Sequence, residues 1–141
     1  MLWTKSMEGG IPNIDAQHQE LFRQVDQLLN SERQERVLET IRFLENYVVS
    51  HFATEEVLHR KIGYPQAALH HQQHVDFTNT FLALKREYEQ SGYNLVTLLK
   101  INRVAVAWLK DHVMGADMDF AQYYHDDCQK REMDRQVAVG R

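Results

Sequence analysis

The apolar residues of this chain recur at alternating spacings of three and four positions, which is the pattern of a stripe along one face of an α-helix in a bundle. Four such stripes occur, beginning near positions 14, 37, 67 and 95. Asp15 is a candidate N-cap for the first helix, and Pro65 is predicted in the first turn of the third. Gly63 and Gly92 are predicted just beyond the ends of the second and third helices.

The segments between these stripes span only a few residues, which favours antiparallel packing of consecutive helices. The pattern therefore predicts an all-α protein, an antiparallel up-down-up-down four-helix bundle that forms a single domain over residues 1–141. Residues 1–14 are predicted to form an N-terminal arm. From about residue 121 to 141 the pattern weakens, which predicts either a short extra helix or a frayed tail.

Charge and composition narrow the classes of partner. The formal net charge is -4, and no block of Lys and Arg lies outside the mixed C-terminal tail, so neither nucleic acid nor a membrane surface is an expected partner. Cys128 is the single cysteine, so no intramolecular disulfide is expected. The sequence shows no signal-peptide pattern and no apolar run of membrane-spanning length, and we expect a cytoplasmic protein.

Several polar residues occupy stripe positions where a bundle normally has Leu or Ile. They are His18, His51, Glu55, His70, His74 and His112. A buried carboxylate or imidazole without a partner costs several kcal/mol, and a bound metal is the simplest compensation. In an up-down-up-down bundle all six lie at one end, because they come from the start of helix one, the end of two, the start of three and the end of four.

The donor set indicates two metal ions rather than one. Five imidazoles and a carboxylate exceed what one tetrahedral zinc needs, and mixed nitrogen and oxygen ligands suit iron or manganese. A second carboxylate is expected from Asp111, Asp117 or Asp119. The helical period favours Asp119, while Asp117 requires the helix to bend or tighten near Gly115. The spacing leaves this choice open.

Four segments resemble the hemerythrin family, specifically its single-domain bacterial members. They are "IDAQH", "HFATEE", "GYPQAALHHQQH" and "WLKDHVMGAD", which together carry six of the expected ligands and Asp117. The resemblance implies a non-haem di-iron centre in which Glu55 and Asp117 bridge the irons beside an oxo or hydroxo group. It assigns one iron to His70, His74 and His112 and the other to His18 and His51. The second iron would then keep one open position, where dioxygen would bind.

A pocket that excludes water and protons is needed if dioxygen is to be released again. The candidates lie beside the ligands in sequence, and Leu109 comes first because it matches a family position that lines the oxygen pocket. The full set is Leu21, Phe52, Trp108, Leu109 and Val113.

The remaining histidines, His59, His71 and His125, are predicted to lie at the surface. The leading functional hypothesis is reversible dioxygen binding for storage, delivery or sensing, by a monomer that is not an enzyme. One alternative is a di-iron enzyme that reduces peroxide or nitric oxide. The other is a metal-stabilised interaction module, a domain or partner of a signalling or redox protein.

Overall fold

The computed structural model describes residues 3–30, 34–92 and 94–139, apart from the side chains of residues 29, 30, 34 and 35. A 3₁₀ turn at Lys5–Met7 precedes the longer elements. These are α1 (Pro12–Asn30), α2 (Gln34–Ile62), α3 (Ala67–Ser91), α4 (Leu95–His112), a π-helical segment (Val113–Asp117) and α5 (Met118–Val139). No strand occurs within the described ranges.

The first four helices form a closed bundle, because α1 packs against α2 and α4, and α3 packs against the same two helices. Buried side chains from all four helices form the main core, among them Leu21, Ile41, Phe81 and Ile101. Burying each such side chain contributes about 1.5–3 kcal/mol, so the apolar stripes hold the bundle together. The predicted all-α four-helix bundle is confirmed.

The ends of α2 and α3 lie where the sequence places them. Gly63 and Gly92 follow these helices with φ angles of 66° and 68°, in the left-handed region that residues with a Cβ rarely adopt. The start of α4 is capped by Asn94, whose side-chain oxygen accepts hydrogen bonds from the backbone N–H groups of Val96 and Thr97.

Two helix starts differ from the prediction. The first helix begins at Pro12, so Asp15 is not its N-cap. The Asp15 carboxylate instead accepts hydrogen bonds from the backbone N–H groups of Gly9 and Gly10, at 2.8 and 3.0 Å. The third helix begins at Ala67, after Pro65, which lies in the preceding turn. Proline suits the first turn of a helix and the turn before one, because its φ angle is fixed near the helical value and neither place requires a backbone N–H donor.

Between α4 and residue 139, the last that the structure describes, the chain forms a long helix and not the predicted short helix or tail. The helix continues through the π-helical segment into α5, which is 22 residues long. At its start, Phe120 and Ala121 are buried together with Ile11 and Ile14 in a second apolar cluster. From residue 128 to 139 every side chain is exposed. The local pattern weakens there because this half of α5 has no core to face.

The N-terminal arm is shorter than predicted, since α1 already starts at Pro12, and it packs against the start of α5. A Cβ on Gly9 would lie 2.9 Å from the Cβ of Ala121, so only glycine permits this approach. Met7 and Ile11, two residues of the arm, are themselves buried. Among the helices of the described ranges, none combines the length and apolarity needed to cross a membrane.

Candidate metal centre

Seven polar side chains from every helix of the bundle converge at the end that carries the N-terminal arm. The residues are His18 from α1, His51 and Glu55 from α2, His70 and His74 from α3, His112 from α4 and Asp117 from the π-helical segment. Each of them is at most 6% exposed. Their meeting at one end confirms that consecutive helices run antiparallel.

Glu55 lies between the two groups of imidazoles. Its Oε1 is 3.1 Å from Nε2 of His18 and 2.9 Å from Nε2 of His51. Its Oε2 is 3.3 Å from Nε2 of His70 and 3.1 Å from Nε2 of His74. One carboxylate therefore presents one oxygen to each group.

Asp117 repeats this arrangement from the opposite side of the bundle. Its Oδ2 lies 3.0 Å from Nε2 of His18, and its Oδ1 lies 2.9 Å from Nε2 of His70 and 3.1 Å from Nε2 of His112. Both carboxylates thus face both groups of histidines, as bridging ligands do.

The orientation of these atoms suits metal ligation better than hydrogen bonding. Nε2 of His74, Oε2 of Glu55 and both oxygens of Asp117 are buried without a partner in hydrogen-bond geometry, although each has an opposite group within about 3 Å. Donors about 3 Å apart are what two ligand bonds of about 2.1 Å at right angles would give. The set of imidazole and carboxylate donors fits first-row transition metals.

The donors separate into two overlapping groups, in each of which the ligand atoms lie within 4.8 Å of one another. One group contains Glu55, His70, His74, His112 and Asp117, and the other contains His18, His51, Glu55 and Asp117. We call them the three-histidine half and the two-histidine half. They share both carboxylates and differ by one imidazole.

The π-helical segment decides which aspartate joins the site. Asp117 follows His112 by five residues, and in the wider turn of a π-helix residues five apart lie on one face. The prediction that Asp117 requires a bent or tightened helix is therefore wrong in its geometry, because the helix widens. In a regular α-helix Asp119 would share the face of His112, but here it lies within α5 beyond this segment.

Comparison with known proteins also indicates a metal-binding domain. The family model described as the hemerythrin HHE cation binding domain matches residues 9–124, which include all seven converging side chains. The chain belongs to the hemerythrin family.

Curated hemerythrin relatives match most of the chain. A bacteriohemerythrin from Clostridium acetobutylicum is 26% identical and is aligned over 84% of this chain and 97% of its own length. One from Stenotrophomonas maltophilia is 29% identical, over 86% of this chain and 79% of its own. A crystal structure of a wild-type hemerythrin superposes with a TM-score of 0.76 at 24% identity, covering 86% of this chain and 95% of that one, and it supports the fold.

The charges inside this hemerythrin-family site are strongly coupled. Burial would lower the pKa of His18, but contacts with Asp117 and Glu55 raise it to about 10. The same opposition raises the pKa of His70 to about 9. Burial would raise the pKa of Glu55, yet the neighbouring imidazoles, His51 first, hold it well below its usual range. Without metal, the carboxylates are thus neutralised by protons on the imidazoles.

A second layer of side chains orients the imidazoles. Nδ1 of His51 donates to the side-chain oxygen of Gln17 at 2.7 Å, and Nδ1 of His112 donates to that of Gln73 at 3.0 Å. Because these bonds place the hydrogen on Nδ1, they leave Nε2 free to bind metal. Neither glutamine was singled out from the sequence, since each lies beside a ligand in the chain and breaks no apolar pattern.

Glu56 approaches His74 in a related way. Its carboxylate lies 3.6 Å from Nδ1 of His74 and also pairs with the exposed imidazole of His71. The carboxylate thus adds negative charge behind one ligand of the three-histidine half.

The five predicted pocket residues are all at least partly buried near the ligands. Leu21, Leu109 and Val113 are almost fully buried in the main core. Phe52 stacks on His74 with a centroid distance of 3.8 Å, and Trp108 stacks on His112 at 4.3 Å. These two aromatic rings therefore contact the three-histidine half most closely.

The prediction that His59 lies at the surface is wrong. His59 is 1% exposed, and burial, followed by the charge of His70, lowers its pKa to about 4. The alternating spacing of three and four permits the stripe to continue from Glu55 to Leu58, three residues on, whereas the fold buries His59, four residues on. Both spacings suit one helical face, so the pattern could not separate them. His71 and His125 are exposed, as predicted.

The arm and the start of α5 close the end of the bundle above the site. A cavity of about 10 Å³ lies there, next to His18, Glu55 and Asp117. Its other walls are mostly apolar and come from the arm, α1 and α5, namely Met7, Gly9, Ile11, Ile14, Asp15, Met118, Phe120 and Ala121. A space of this size holds at most about one water molecule, so bulk solvent is kept from this side of the ligands.

Proposed function

We propose that this chain binds dioxygen reversibly at a di-iron centre. His70, His74 and His112 would hold one iron, His18 and His51 would hold the other, and Glu55 and Asp117 would serve both, together with a solvent-derived oxo or hydroxo group. When bound, the two ferrous ions supply the electrons and the open coordination position that dioxygen requires. The residues of the chain fix the two ions, keep water away and limit access by protons.

The observation that carries this proposal is the unequal division of ligands. The three-histidine half offers five donors and the two-histidine half offers four, with both carboxylates common to the two. A shared solvent-derived oxygen would bring these numbers to six and five, so only the three-histidine half would have a full set of six ligands. The open position belongs to the two-histidine half, which makes that half the site of exogenous ligand binding.

The surroundings support reversible binding rather than turnover. Leu21, Leu109 and Val113 are proposed to line the oxygen pocket at the two-histidine half, and Phe52 and Trp108, which stack on His74 and His112, are proposed as aromatic walls on the side of the three-histidine half. These side chains exclude water and provide no acidic group, so protons that would promote loss of reduced oxygen are kept away. A monomeric, cytoplasmic protein for storage, delivery or sensing stays our prediction.

The decisive experiment is an optical titration under controlled oxygen. The anaerobic ferrous protein, with its iron content measured, is exposed to air and then deoxygenated. A visible charge-transfer band should appear in air and disappear when oxygen is removed, over several cycles. The iron content should be close to two per chain.

Other results would overturn the proposal. A band that persists after deoxygenation would exclude a reversible carrier or sensor. Sustained consumption of peroxide or nitric oxide with a reductant would indicate an enzyme. Purified protein that takes up one zinc per chain and no iron would overturn the di-iron assignment.

A further inference from the structure

His59 is a buried imidazole that the proposed di-iron site does not use. It lies in the last two turns of α2, one turn beyond Glu55, and its ring is 4.3 Å from Phe120, 4.5 Å from His70 and 5.1 Å from Tyr64, measured between ring centroids. Both of its ring nitrogens are buried without a hydrogen-bond partner among the described residues. Burying a polar group without a hydrogen-bond partner destabilises the folded protein, so packing alone does not account for a histidine at this position.

The neighbouring His70 has a nitrogen that lacks a hydrogen-bond acceptor. Its Nε2 faces both carboxylates, so metal ligation through Nε2 leaves the hydrogen on Nδ1. That Nδ1 is buried and has no hydrogen-bond partner among the described side chains. Metal-bound histidines almost always donate this hydrogen to an acceptor, as His51 and His112 do here to glutamines.

We propose that His59 accepts a hydrogen bond from Nδ1–H of His70 when metal is bound, and so acts as a positioning residue for that ligand. A neutral imidazole has one bare nitrogen, which is the acceptor that His70 lacks. Since each nitrogen is offset from its ring centre, a centroid distance of 4.5 Å allows one nitrogen of each ring to meet at hydrogen-bond distance. The bond fixes the orientation of the His70 ring and makes its Nε2 a stronger donor to the metal.

This inference rests on the proposed function only in that His70 binds metal through Nε2, and diamagnetic zinc alone serves as the probe. In ¹⁵N-labelled protein loaded with zinc, a scalar coupling across the N–H···N hydrogen bond should connect a nitrogen of His59 with Nδ1 of His70. Packing contact without a hydrogen bond produces no such coupling. If zinc binds and no coupling is found, the inference fails while the metal site stands. If neither zinc nor iron binds the unaltered chain, the proposed function itself fails.

Variants separate hydrogen bonding from packing. His59→Leu should speed release of metal to a chelator by roughly 10–100-fold, the usual effect of removing a partner of a metal-bound histidine. His59→Gln restores an acceptor and should recover most of this loss. Tyr64→Leu removes ring packing against His59 and keeps the ring nitrogens of His59 and His70, so its release rate should stay within a few-fold of the unaltered protein.

Two outcomes would contradict the proposed role. Equal release rates for His59→Leu and the unaltered protein would show that His70 needs no acceptor. Equal losses in His59→Leu, His59→Gln and Tyr64→Leu would show that only packing matters. Circular dichroism of each variant checks folding, and His59→Met replaces His59→Leu if the latter does not fold.

Discussion

The two halves of the metal centre are built from the same parts and differ in saturation. Both use Glu55 and Asp117, one oxygen of each per half, and both include an imidazole held by a glutamine, through Gln17 in one and Gln73 in the other. The three-histidine half has one more imidazole, and aromatic rings stack on two of its ligands. The two-histidine half borders the small cavity beneath the arm. In the proposed di-iron centre, this single missing imidazole would separate an ion with a full set of ligands from one that can bind an external ligand.

The largest loss of bound metal is expected when a carboxylate that both halves share is removed. Glu55→Ala deletes one ligand from each half and leaves several buried imidazoles facing a single carboxylate, so both ions should be lost. Metal analysis should fall from about two ions per chain to nearly none. Glu39→Ala, an exposed carboxylate on the same helix, should retain both. A Glu55→Ala protein that keeps both ions would refute the bridging role.

Each half can next be weakened separately through its glutamine. Gln17→Leu should weaken metal retention in the two-histidine half and Gln73→Leu in the three-histidine half, each by roughly 10–100-fold. Gln17→Leu should give the faster loss, because its half has fewer donors to compensate. Chelator-release kinetics with two resolved phases measure this. Gln72→Leu, next to Gln73 but exposed and bonded to Asp76, is the matched control. Identical kinetics for all three variants would contradict the assignment of glutamines to halves.

The reactive character of the two-histidine half is tested at Leu109. Leu109→Ala opens the proposed pocket to water and protons, so the oxygenated form should autoxidise about tenfold faster, equivalent to about 1.4 kcal/mol in the barrier. Decay of the visible band in air measures the rate. Leu84→Ala, a buried leucine of α3, is the control for general loosening of the core. An unchanged decay rate in Leu109→Ala would remove Leu109 from the pocket.

The smallest expected effect is the pH dependence of stability in the metal-free protein, to which each half contributes one histidine with a raised pKa. Without metal, the raised pKa values of His18 and His70, about 10 and about 9, mean that the folded protein holds protons that the unfolded chain releases near 6.5. Stability of the metal-free protein should therefore fall as the pH rises from about 6.5 to 10. Thermal unfolding measures this trend, and a rise in stability over that range would contradict it.

The same protons should be displaced by metal. Loading at pH 8 should release about two protons per chain in addition to those lost by bound water, and His18→Asn or His70→Asn should each reduce the total by about one. A pH indicator in weak buffer provides the count. Release that is the same in both variants as in the unaltered chain would show that other groups hold these protons.

Most of the candidate metal ligands can be predicted from the sequence, because they are polar residues that interrupt regular apolar stripes. His51 with Glu55 and His70 with His74 are four residues apart, so any α-helix places each pair on one face. The antiparallel order of four helices then brings these pairs to the same end as His18 and His112. The burial of His59 could not be predicted in this way, because positions three and four residues beyond Glu55 both suit the buried face of the helix. Only the packing of Tyr64 and Phe120 around it selects the second.

The pattern of residues along the chain is enough to predict the four helices, the glycines that end two of them and the end of the bundle where polar side chains meet. These features follow from the helical period and from backbone sterics, which act over a few residues. Tertiary structure decided the rest. The π-helical turn selected Asp117 over Asp119, the distances around each carboxylate oxygen divided the donors into five and four, and the arm with α5 closed the end over them. These features depend on contacts between residues that are far apart in the sequence, and the spacing of residues within one helix does not reveal such contacts.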